Sequence, residues 1–142
     1  MTRLTLQEAY EKVWKYYVVD RNKPGLLHVD TDRATYDYCY YMTTKGDKCS
    51  IGCLLSDPSV LMYTRYPIDD LMNGKGVTPD MDSILDEIRS IPISALKDLQ
   101  CYHDEATNIY RRAGLDAFLS HMENSLEEFR EFYCLDPIGI IN

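Results

Sequence analysis

Apolar residues recur at helical spacing near the start of the chain. Leu6, Ala9, Tyr10, Val13 and Tyr17 fall on one face, with Trp14 at its edge. Thr5-Leu6-Gln7-Glu8 in front of this stripe has the form of a capping box, so a first helix is predicted over residues 5–19. Asp20 to Gly25 closes it, because Pro24 cannot continue a helix and Gly25 turns the chain. The same period returns in Met81, Ile84, Leu85 and Ile88, behind a Thr78-Pro79-Asp80 cap, and ends at Ser90-Ile91-Pro92. A further helix over about 93–107 puts Leu96, Leu99, His103 and Ala106 on one face. The last helical stretch buries Leu115, Phe118, Leu119, Met122, Leu126 and Phe129. Ser125-Leu126-Glu127-Glu128 reads as another capping box, so this stretch is expected to break near Asn124, into 111–122 and 126–134, before a tail from 136.

Between the first two helices the pattern changes. Residues 26–29 read as a short strand or an irregular loop. Residues 38–43 are rich in tyrosine and threonine, which favour strands, and Lys45-Gly46-Asp47 supplies a turn. A β-hairpin is therefore expected with arms at 38–43 and 48–51, followed by helical turns from Ile51 that stop at Asp57-Pro58. Residues 59–77 read as a loop whose Tyr63, Tyr66 and Leu71 tuck into the core. The fold class that follows is mainly α (α+β): one small domain over 1–142, with about five helices and one short β-hairpin.

Composition narrows the function. No apolar run approaches the roughly 18–20 residues of a membrane span, and the N-terminus passes straight into an amphipathic helix. A cytoplasmic protein with no membrane association is expected. Five cysteines, without a repeating spacing, are expected to be thiols. The net charge of −8 is uneven: residues 1–50 hold eight Lys/Arg against seven Asp/Glu, and the remainder seven against sixteen. Such a surface disfavours duplex nucleic acid and suits a basic protein partner. Asp30-Thr31-Asp32 lacks the glycine and closing glutamate of a calcium loop. Asn73-Gly74-Lys75-Gly76 lacks the Gly-Lys-Ser/Thr ending of a phosphate loop.

Three constellations remain. Cys49 lies before a helical turn beside Lys48, and His103 faces inward, so the pair fits a Cys–His hydrolase or transferase. Asp104 follows His103 directly and is expected to diverge from it by about 100° on a helix. Cys39, Cys49, Cys53 and His103 would make a zinc site that stabilises an interaction module. The tyrosine-rich arm, with Tyr38, Tyr40 and Tyr41 beside Lys45, Lys48, His103 and Asp104, would form a ligand- or partner-binding surface. Against each stands a plain alternative: buried thiols, a core histidine hydrogen-bonded to backbone, and tyrosines packed across strands.

Two stretches resemble a small family common in phage and prophage genomes. Its members carry a C-x-Y arm, then G-x-K-C-x-I/V-G-x-L-I/L-x-D, and later L-x-x-L-Q-x-x-H-D. The matching residues are Cys39 and Tyr41; Gly46, Lys48, Cys49, Ile51, Gly52, Leu54, Leu55 and Asp57; and Leu96, Leu99, Gln100, His103 and Asp104. The chain departs from the pattern at Met42, where an arginine is usual. The resemblance brings no activity with it. It implies an accessory binding protein in an infected bacterium, interfering with host machinery such as a defence system by occluding a host protein or sequestering a small nucleotide signal. No cofactor is called for.

Overall fold

The computed structural model describes residues 3–30 and 35–138. It bears out a mainly helical domain, with five α-helices among the described residues. α1 (Leu6–Trp14) starts at Thr5, whose hydroxyl accepts the Glu8 N–H while Glu8 accepts the Thr5 N–H. It runs on as a π-helical turn, Lys15–Val19, closed by the Asp20 N–H donating to the Lys15 carbonyl. Ala9, Tyr10, Val13 and Tyr17 are buried, as their spacing predicts.

The β-hairpin is present but lies earlier than expected. β1 (Leu26–Asp30) pairs antiparallel with β2 (Thr35–Cys39), from Leu26 opposite Cys39 to Asp30 opposite Thr35. The expected arms at 38–43 and 48–51 reduce to one isolated bridge between Met42 and Lys48. The arms stop short because the Tyr40 N–H goes to the Gly25 carbonyl and the chain coils from Cys49, whose carbonyl accepts the Cys53 N–H. The expected turn itself is closed by the Thr43 hydroxyl, which accepts the N–H groups of both Lys45 and Asp47. Gly46 takes the positive φ of +89° there.

Short 3₁₀ turns at Gly52–Leu54 and Pro58–Leu61 lead to α2 (Ile68–Met72) and α3 (Pro79–Leu85), and α3 is extended by a 3₁₀ turn at Asp86–Ile88. Thr78 caps α3 as expected. α4 (Ile93–Ala113) is longer than its predicted span, and α5 (Leu115–Phe132) is unbroken. The break expected near Asn124 is thus corrected. It falls at Gly114, whose φ of +89° and ψ of −171° belong to a region only glycine enters freely. Ser125 is buried within α5 and caps nothing.

α4 and α5 run antiparallel, since Tyr110 meets Phe118, Tyr102 meets Phe129, and the Tyr133 hydroxyl reaches Asp98 at 2.7 Å. α1 lies across α5 through Tyr10 on Phe129 and Tyr17 on Phe118. The core fills the space between these three helices and the 49–55 segment, where Ile51, Leu54, Leu96, Leu99, Phe118 and Leu126 are at most 1% exposed. Among the described residues no helix is long and apolar enough to cross a membrane.

Candidate functional site

Two segments far apart in sequence meet at Gly25. Its N–H donates to Nε2 of His103 at 2.9 Å and its carbonyl accepts the Tyr40 N–H at 2.7 Å. A β-carbon on Gly25 would lie 2.6 Å from both the Cys49 nitrogen and the Tyr40 carbonyl oxygen. Glycine is required here by close approach: β1, the end of β2, residues 48–49 and α4 converge on one Cα. His103 itself is fully buried, between the rings of Tyr17 and Phe118.

Beside this junction a recess of about 180 Å³ opens to the surface, between Cys39, Tyr40, Cys49, Arg65, Gln100 and Asp104. Its back wall is a hydrogen-bonded frame. The Tyr41 hydroxyl donates to the Tyr66 carbonyl at 2.7 Å, and the Gln100 amide oxygen accepts the Ile68 N–H at 3.1 Å. At the rim the Arg65 guanidinium lies over the Tyr40 ring, 4.8 Å from its centre. On the other side of the same loop Tyr66 lies against Gly76, where a β-carbon would meet the ring at 2.2 Å, with the Lys75 ammonium 5.7 Å from the ring centre. Tyr63, just ahead of these anchors in the chain, is 81% exposed.

The chemistry of His103 follows from its partners. A backbone N–H can only donate, so Nε2 holds a lone pair and the ring proton sits on Nδ1. That proton points to the Asp104 carboxylate, 3.0 Å away. The expected divergence of the two neighbours is corrected: the Asp104 side chain turns back and closes on the ring. Both ring nitrogens are therefore engaged, and neither is free to take a proton from Cys49. Burial pushes the Cys49 thiol up to about 12, although its sulfur accepts the Gly52 N–H at 3.3 Å. A buried thiol held protonated is a poor nucleophile.

The zinc set is corrected as well. Among the described residues the group whose ligand atoms come together is Cys39, His103 and Asp104, all within 4.8 Å; Cys49 and Cys53 stand outside it. Cys53 gives its S–H to the Ser50 carbonyl. The tautomer of His103 tells against a metal on the group that does assemble. An ion on Nδ1 would require the proton to move to Nε2, where it would face the Gly25 N–H, donor against donor. An ion on Nε2 would displace that amide. Partial desolvation of the Cys39 sulfur and the neighbouring Asp104 charge raise its thiol to about 11, the reverse of what a metal-ready sulfur needs.

The chain matches no protein-family model, no curated protein and no solved structure. Its own geometry carries the reading. Of the residues expected at a binding surface, Tyr40, Tyr41 and Asp104 line the recess. Tyr41 does so as a wall only 5% exposed. Lys45 is exposed on the 43–47 turn, and Lys48 is turned away, its ammonium 5.9 Å from the Tyr16 ring centre. The Tyr38 side chain lies outside the described residues. Sequence reasoning missed Gly25, Arg65 and Gln100 as parts of the site. It also placed Tyr63 and Tyr66 in the core, whereas they are 81% and 40% exposed. The available signal was Tyr63-Thr64-Arg65-Tyr66-Pro67, which sets tyrosine and arginine, residues enriched where proteins bind one another, in a loop.

Proposed function

We propose that this protein is a binding protein that recognises another protein through the face around residues 63–66. The observation that carries this reading is the exposure of Tyr63 next to an anchored stretch of its loop. Arg65 is stacked on Tyr40, Tyr66 is seated on Gly76, and the 66–68 backbone is tied to Tyr41 and Gln100. An exposed aromatic beside a backbone already held in place is the residue type that concentrates binding energy. Size speaks against sequestering a nucleotide in the recess. Pockets that enclose drug-sized ligands run to about 300–1,000 Å³, and the recess offers about 180 Å³. The engaged ring nitrogens of His103 and the protonated thiol of Cys49 speak against a Cys–His enzyme. The resemblance to a phage family supports a bacterial host protein as partner, with defence machinery as the first target to examine.

The test compares wild-type protein with Tyr63→Ala as bait in a bacterial host lysate, followed by calorimetry on any purified partner. Losing an exposed anchor should weaken binding about tenfold or more and leave the unfolding midpoint unchanged. A wild-type bait that retains nothing the variant does not would overturn the reading.

A further inference from the structure

The recess does not end at Asp104. A shallower groove continues along α4 and shares Pro67, Gln100 and Asp104 with it. In the other direction Thr64, Arg65 and Tyr66 are shared with a depression that Tyr63 and Met81 also line. One furrow thus leads from the exposed tyrosine to the outer face of α4.

We propose that this furrow receives an extended, basic segment of the partner protein. The inference rests on the protein-recognition reading and names the chemistry of what is recognised. Gln100, Asp104 and Asn108 follow one another at four-residue spacing along the furrow floor. The helical rise separates the first from the last by about 12 Å, the length of roughly four residues of extended chain. Consecutive positions of this row lie about 6 Å apart, close to the distance between alternate residues of a strand. Three carboxylates line the groove, Asp69, Asp104 and Glu105, against Lys97, while the Arg65 guanidinium of the adjoining recess lies over the Tyr40 ring. Asp104 and Glu105 are hydrogen-bonded by neutral donors, the His103 ring and the Cys101 thiol, which orient them without cancelling their charge. Lys97 stands 4.0 Å from Asp69 at one end, so the middle of the floor keeps its negative charge. The sign of the whole chain, −8, adds attraction toward a basic segment at a distance. At the far end Tyr63 and Met81 offer apolar contact to a residue beyond the basic run.

The test uses a fluorescein-labelled (Arg-Ala)5 peptide, with (Glu-Ala)5 as control, and reads anisotropy at low and moderate salt. Wild-type protein should bind the arginine peptide and not the glutamate peptide. Asp104→Asn with Glu105→Gln should weaken binding at least tenfold; the asparagine oxygen still accepts from His103, so the fold is kept. Glu123→Gln with Glu128→Gln, which removes the same charge from exposed positions on α5, should change binding less than twofold. Bound peptide should also slow alkylation of Cys101, which lies in the groove. Absence of binding to wild type, equal losses in the two double variants, or an unprotected Cys101 would each overturn the inference. If the Asp104/Glu105 variant still retains a host protein that Tyr63→Ala loses, recognition stands and the basic-segment assignment falls.

Discussion

Position 103 is a structural residue: its ring is fully buried and accepts a backbone amide. Replacing His103 with alanine leaves the Gly25 N–H without an acceptor and opens a void between Tyr17 and Phe118. A stranded buried donor costs about 1–3 kcal/mol and the cavity a similar amount again. Urea unfolding of His103→Ala should therefore show a loss of about 3 kcal/mol or more. A loss below about 1 kcal/mol would mean that the imidazole is not a structural acceptor. The inward side of this histidine was legible, because it continues the Leu96–Leu99 stripe. Its partner was not. Gly25 lies 78 residues away, and a glycine beside a proline reads only as a turn until the neighbouring backbones are seen. The exposed tyrosines were misread for a related reason: an aromatic in a loop gives no period from which to tell inside from outside.

Helix lengths and caps were legible wherever the apolar period ran unbroken, as in α1, α3 and most of α4. The boundary between α4 and α5 was not. Ser125-Leu126-Glu127-Glu128 satisfies the pattern of a helix start, but the apolar stripe passes through it from Met122 to Phe129, and the stripe prevails because its burial outweighs one cap. Two substitutions separate these accounts. Ser125→Ala should change stability by less than about 0.5 kcal/mol, whereas loss of a true cap costs about 1. Gly114→Ala meets no atom within 4 Å, yet should cost about 1–3 kcal/mol through its backbone angles alone. Thermal or urea melts of the pair decide the matter, and the reverse order would restore the break at Asn124. The hairpin was displaced by a comparable competition, since Gly25 takes the Tyr40 N–H and the residues after Cys49 bond to one another in a tight turn instead of extending a second arm.

Taken whole, the molecule grades its thiols by exposure. Cys39, Cys101 and Cys134 are exposed, Cys53 is half-buried, and Cys49 is buried. Native protein should take up maleimide at the first three while Cys49 reacts only on unfolding, as peptide mapping by mass spectrometry would show. Cys39 and Cys101 should both lag behind a free thiol, because the first is partly desolvated beside Asp104 and the second is hydrogen-bonded to Glu105, and each is raised to about 11. The buried groups set the alkaline limit of the fold. Burial lifts Cys49 from 9.0 to about 12, and Tyr16 from 10.0 to about 12. Below about pH 9 folded and unfolded chains both hold these protons. Above it the unfolded chain releases them first, so stability should fall steadily between about pH 9 and 12. A urea midpoint that stays level to about pH 11 would show that these groups are not shielded as described.

The π-helical turn after α1 has an effect well beyond its own length. It sets two adjacent phenols, Tyr16 and Tyr17, against the same residue. Tyr16 takes the amide hydrogen of Lys48 and Tyr17 gives its own to the Lys48 carbonyl. Two side chains thus clasp one residue as a neighbouring strand would. Deleting Lys15 would restore ordinary pitch and swing both rings about 100° around the helix axis. The clasp would open, and the chain around Lys48 would lose its seat. The extra residue wound into the first helix works as a spacer that tells a distant loop where to stop.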